Sequence, residues 1–109
     1  MMFEEYIDAI LKRDKALSIG NAKIANKYYD KIAGLVNDLK RSNIDELLKL
    51  QPLLEHEEVS VRFITAFYLL QIIPEEAENV LEHIANEKNK VSFDAKMTLR
   101  EWRKGNIVF

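Results

Sequence analysis

The sequence contains no cysteine. Disulfides, thiolate zinc sites, iron–sulfur clusters and cysteine nucleophiles are therefore excluded. It has only three glycines and two prolines, too few for an all-β chain that turns every ~10 residues. Its longest apolar run, Phe63 to Ile73, is broken by Thr65 and Gln71 and falls well short of the ~20 residues of a membrane span. Neither sign of charge dominates: 16 basic and 18 acidic residues give a net charge of −2. A sequence pI near 5.7 speaks against a dedicated nucleic-acid binder, whose pI is usually above ~9. The opening MMFEEYIDAI carries three acids and no base before Lys12, unlike a signal or transit peptide. These features lead us to expect a cytoplasmic protein with no membrane association.

What is present is 109 residues, 48% hydrophobic and 31% charged. That suits one globular domain, with helical periodicity throughout. A first helix over about 3–19 carries Phe3, Ile7, Ile10, Leu11 and Leu17. Gly20 is expected to end it and Asn21 to cap the second, which runs to about Arg41 with Ile24, Tyr28, Ile32, Leu35 and Leu39 on one face. After a Ser42-Asn43 cap, a third helix over about 43–55 presents Leu47, Leu48, Leu50, Leu53 and Leu54, with Pro52 expected to kink it. The fourth, VSVRFITAFYLLQII over 59–73, is apolar almost all round and should be central. Val61, Phe63, Ala66, Leu69, Leu70 and Ile73 are expected to be inaccessible. Pro74 opens a fifth helix with a stripe of Ala77, Val80, Leu81, Ile84 and Ala85. The sixth, about 92–104, is stopped by Gly105, before an apolar Ile107-Val108-Phe109 tail expected to fold back or to join a dimer contact.

An offset of 32 sets Val59-Ser60-Val61 on Val91-Ser92-Phe93, Phe67 on Leu99 and Leu70 on Trp102. Helices three and four then form one repeat and five and six another, and Trp102 is expected to be buried. The expected fold is all-α: six helices in three antiparallel hairpins, approximately 3–41, 43–73 and 74–104, stacked as a right-handed HEAT/ARM-like α-α superhelix in one domain over 1–109.

The unit LLEHEEVSVRFITAFYLL resembles a HEAT repeat in Val61-Arg62, Ala66 and Leu69-Leu70. An arginine at the position of Arg62 usually pairs with an acid, here Glu57, Glu58 or Asp94. The stretch from Leu53 to Gly105 also resembles a small bacterial family, domain of unknown function number two thousand and nineteen. The matching residues include Leu53-Leu54, His56, Val61-Arg62, Ala66, Pro74, Ala77, Val80-Leu81-Glu82, Ile84-Ala85 and, most specifically, the closing TLREWRKG. The resemblance implies a HEAT-like superhelix and a bacterial source, and supplies no activity.

Candidate chemistry is sparse. His56 and His83 stand 27 residues apart, and a metal site with Glu57 or Glu82 would match no known ligand spacing. Glu57-Glu58 and Glu75-Glu76 fall at helix starts, where the dipole accounts for them. No phosphate loop or nucleophile elbow is present. The expectation is no enzyme, no metal and no cofactor.

The most informative constellation comes from the repeat. At 100° per residue, Ser60, Ile64, Tyr68 and Gln71 cluster on the least apolar side of the fourth helix. The offset places Ser92, Lys96, Arg100 and Arg103 beside them on the sixth. These eight positions are expected to line one concave groove, apolar on one side and basic on the other. Tyr68 and Ile64 would anchor an acidic protein partner with Arg100 beside them. The expected function is a non-enzymatic protein-interaction module, with a toxin-immunity partner as one form, acting as a monomer or weak homodimer. Nucleic-acid binding along the basic side is the alternative, as in HEAT-like DNA glycosylases.

Overall fold

The computed structural model describes residues 3–109, all of whose regular structure is helical. The elements are α1 (Phe3–Ser18), α2 (Ala22–Ser42), a 3-10 helix (Ile44–Glu55), α3 (Val59–Leu69), α4 (Pro74–Asn86) and α5 (Ser92–Arg103). The chain divides into two compact units, Met1–Lys49 and Leu50–Phe109.

In the first unit α1 packs on α2. Between them Gly20 takes φ +73°. Asn21 N–H donates to the Ala16 carbonyl and Gly20 N–H to that of Leu17, the paired bonds of a Schellman stop. Asn21 then caps α2, its side chain accepting from Ile24 N–H. The buried residues are Tyr6, Ala9, Ile10 and Ala16 on α1 and Ala25, Ile32, Val36 and Leu39 on α2. Both faces are rotated from the expected stripes. Phe3, Leu17 and Ile24 are exposed, while Ile7, Leu11, Tyr28 and Leu35 are half-buried. Alanines at the contact let helix axes approach closely, and a stripe of large side chains does not register them. Lys12 and Asp8 form an ion pair of 3.0 Å one turn apart. The hydrogen bond to Asp8 raises the Lys12 pKa, and the Asp8 charge adds to the effect.

The segment expected as a kinked α-helix over 43–55 is instead a 3-10 helix, with Asn43 Oδ1 accepting from Asp45 N–H at its start. Its leucines explain the change. In a helix of three residues per turn, positions i, i+3 and i+6 eclipse. Leu47, Leu50 and Leu53 keep that spacing and are all buried, Leu54 is buried next to them, and Leu48 is exposed. Pro52, inside this helix, would clash in an α-helix with the carbonyl four residues earlier.

In the second unit α4 packs on both α3 and α5. α3 buries Ser60, Val61, Thr65, Ala66, Tyr68 and Leu69, more than half of its length. It is shorter than expected: it stops at Leu69, and residues 70–73 form a turn in which Ile72 and Ile73 N–H donate to the Leu69 carbonyl. Phe63 and Ile73 are half-buried, not inaccessible. Pro74 sits in the first turn of α4, and Ala77, Leu81, Ile84 and Ala85 are buried, with Val80 half-buried. α5 ends in a second Schellman stop: Gly105 has φ +76°, its N–H donates to Trp102, and Asn106 N–H donates to Glu101.

Of the tail expected to fold back, Phe109 reaches back within this unit while staying 42% exposed, and Val108 is 89% exposed. The Phe109 ring lies 5.2 Å from that of Phe67 and 6.3 Å from Trp102. Trp102 is half-buried and not a core residue. Arg62, expected to find an acid, has no ion pair among the described residues, and its Nε is buried without a hydrogen-bond partner.

Three substitutions test this packing. Leu70→Ala, at a position 1% exposed, should cost about 2–5 kcal/mol in urea unfolding through lost burial and a cavity. Ala9→Leu should cost about 1–3 kcal/mol by overpacking, whereas Leu17→Ala should change stability by less than about 0.5 kcal/mol. Phe109→Ala should red-shift the emission of Trp102, the single tryptophan, as its ring becomes wetter. Unchanged emission would mean that the tail does not rest there.

Candidate functional site

The cleft between α4 and α5 is the polar feature of the second unit with the clearest construction. It has a volume of about 440 Å³ and is lined by Glu82, Ala85, Asn86, Lys96, Leu99, Arg100 and Arg103. Buried Ala85 and Leu99 form an apolar floor, and exposed Lys96, Arg100 and Arg103 form a basic rim. The cations stand on one side of α5 because 96, 100 and 103 recur at helical spacing. Val91 and, on α5, Ala95 and Leu99 are the buried positions of this segment and turn toward the core.

The three cations are not equivalent. Arg103 Nε donates to Glu78 at 3.1 Å, and its Nη2 donates to Glu82. Two carboxylates one turn apart on α4 thus hold one guanidinium on α5. The bonds to Glu82, first, and Glu78 raise the Arg103 pKa, and about half of its side chain remains exposed. Lys96 and Arg100 have no ion pair or side-chain hydrogen bond among the described residues, and they carry the uncompensated charge of the rim.

The eight residues expected to line one groove do not share one open surface. Ser60 is 4% and Tyr68 9% exposed, so Tyr68 belongs to the core and offers no anchor to a partner. Its ring meets that of Phe67 edge-on at 5.1 Å. Ile64 and Gln71 are half-buried. Gln71 Nε2 donates to the Tyr68 carbonyl at 2.8 Å, while Ser60 Oγ and Gln71 Oε1 are buried without a partner. Ser92 is spent on the loop before α5: its hydroxyl donates to the Glu87 carbonyl and accepts from Asn89 N–H. Only Lys96, Arg100 and Arg103 come together at an accessible surface. The offset of 32 fails because it sets buried Val61 on Phe93, which is 70% exposed. Burial follows an offset of 30, pairing Val61, Thr65 and Leu69 with Val91, Ala95 and Leu99.

Sequence reasoning missed Ala85, Leu99 and Asn86 of the cleft lining, and the exposure of Phe93, which lies on α5 outside that lining. Phe93 was legible in part: at 100° per residue it falls between Arg100 and Lys104, inside an arc of about 120° that also holds Arg103, Lys96 and Met97. The α4 residues were not, because only packing brings them beside α5.

The histidines serve their own backbone. His56 Nδ1 accepts from Glu58 N–H at 3.0 Å in the turn before α3, and His83 Nδ1 lies 2.8 Å from the Asn79 carbonyl. Among the described residues no group of three His, Asp or Glu could hold a metal ion. No described helix is long and apolar enough to cross a membrane. A second cleft, at the start of α4, is lined by Ile73, Pro74, Glu75, Glu76 and Asn79, and Gln51 Nε2 donates there to Glu76 at 2.8 Å.

Arg103→Ala should lower the melting temperature, and the difference should shrink as salt rises from ~0.05 to ~1 M, since exposed pairs are screened. A salt-independent loss would assign Arg103 a packing role instead.

The comparisons agree with an all-helical chain. The crystal structure of the protein RPA1889 from Rhodopseudomonas palustris superposes with a TM-score of 0.88 at 25% sequence identity, over 95% of this chain and 87% of that one. No curated protein sequence matches the chain. Residues 2–102 match the family described as a domain of unknown function, DUF2019, and the chain belongs to that family.

Proposed function

We propose that this chain is a non-enzymatic protein-interaction module whose α4–α5 cleft docks an acidic segment of a partner. The observation that carries this reading is the pairing of an apolar floor, Ala85 and Leu99, with two rim cations, Lys96 and Arg100, that form no ion pair among the described residues. Charge segregation supports it. From Glu55 to Glu82 there are seven acids and one base, whereas from Lys88 to Lys104 there are six bases and two acids. A net charge near zero over the whole chain hides a locally positive surface, which steers an acidic partner and favours it over a basic one. The HEAT/ARM-like stack implied by the resemblance would supply the frame, and a toxin-immunity role is one form such a module takes.

A second reading is nucleic-acid binding, favoured by the same six bases. Two free rim cations give few phosphate contacts, so affinity would be low and would fall by ~0.9 log units per log salt for each contact on duplex DNA.

Selection of peptides from a random displayed library against the intact chain tests the proposal. Recovered sequences should be rich in Asp and Glu. Their binding should fall at least tenfold with Lys96→Glu plus Arg100→Glu, and less with Arg103→Ala. No acidic enrichment would overturn it. Sub-micromolar duplex-DNA affinity at ~0.15 M salt that is lost in the same double variant would favour the second reading.

A further inference from the structure

The acidic segment proposed for the cleft has a definite shape if Phe93 takes part in holding it. Phe93 lies in the first turn of α5 with 70% of its surface exposed. Its ring meets no other ring and no cation among the described residues. It stands on the same side of α5 as Lys96, three residues on, and Arg100, seven residues on. With a rise of 1.5 Å per residue, Lys96 lies ~4.5 Å and Arg100 ~10.5 Å along the helix axis from Phe93. The exposed side of α5 thus presents one large apolar group and then two cations within an arc of about 60°, none with a ring or ion-pair partner among the described residues.

A partner must match that row in spacing as well as in charge. An extended strand offers one face every second residue, about 6.7 Å apart. It can place carboxylates against Lys96 and Arg100, which are ~6 Å apart. Its next side chain on that face then falls ~13.4 Å from the first, about 3 Å past Phe93. A helix matches all three: positions i, i+4 and i+7 share one face and lie at 0, ~6 and ~10.5 Å. We infer that Phe93 is the apolar anchor of this docking face, and that the partner segment is an acidic amphipathic helix. Two carboxylates one turn apart meet Arg100 and Lys96, and an apolar side chain three residues beyond packs on Phe93. This rests on the docking function proposed above and specifies its partner. Seating a helix beside α5 follows the helix-in-groove mode of recognition, with an aromatic and an arginine as the residues that usually dominate binding.

The experiment uses the full chain and fluorescein-labelled peptides read by anisotropy. One pair of helical peptides carries two glutamates and a leucine at i, i+4 and i+7, in the two chain directions. A control of identical composition places the same residues off one face. One in-register peptide should bind at least tenfold more tightly than the control. Phe93→Ala should reduce it to the level of the control, and Lys96→Glu plus Arg100→Glu should abolish binding of both. Equal binding of in-register and control peptides, or no effect of Phe93→Ala while the charge reversal abolishes binding, would overturn the helical, Phe93-anchored partner and leave acidic docking standing. No effect of the charge reversal would remove both. Vesicles of anionic phospholipid form the last arm: binding to them that is lost in Phe93→Ala would overturn a protein partner in favour of a membrane surface.

Discussion

Ala77, Leu81 and Ile84 have no exposed surface, and that burial is what the second unit depends on. They lie on α4, which packs on α3 and α5. The alternation of small and branched side chains lets one helix meet two neighbours at close range. The same helix turns Glu78 and Glu82 outward, where both engage Arg103 of α5. One element therefore sets both the apolar contact and the polar clasp between α4 and α5. The cleft beside that clasp is a consequence of the packing: its floor is where Ala85 and Leu99 approach, and its rim is the row of α5 cations that packing leaves in water.

The division of labour among those cations follows from reach. Arg103, in the last turn of α5, is opposite two carboxylates and is neutralised. Lys96 and Arg100 lie nearer the start of the helix and engage no acid among the described residues. A linear count of basic residues treats the three alike, whereas the structure separates a residue that holds two helices together from two that remain available. The exposed Phe93 continues the available row, and its position gives the surface a direction and a spacing that charge alone lacks.

The two glycine stops, at Gly20 and Gly105, are the places where local chemistry alone decides the backbone. Each holds a positive φ, which costs a side chain about 1–2 kcal/mol, and each is followed by an asparagine. The first asparagine goes on to cap α2, and the second bonds Glu101. Both ends were legible in the sequence, as was Pro74 at the head of α4. These signals depend on residues within a few positions of each other, so no knowledge of packing is needed to read them.

The sequence by itself determined the helical class, the positions of most helix ends, the apolar stripe of α4, and the membership of Lys96, Arg100 and Arg103 on one side of the last helix. Each of these follows from local periodicity or from a single residue's backbone preference. Tertiary structure decided the rest. It selected which face of α1 and α2 is buried, because contacts built on Ala9, Ala16 and Ala25 carry little hydrophobic signal. It chose a 3-10 pitch for residues 44–55, where leucines at intervals of three pack on one edge. It buried Tyr68 and exposed Phe93, reversing the roles that a repeat offset of 32 assigns them. α3 is covered along most of its length, whereas α5 is covered on one side only. Residues that match in sequence therefore meet different surroundings, and burial depends on which neighbours are present, not on the residue type that waits for them.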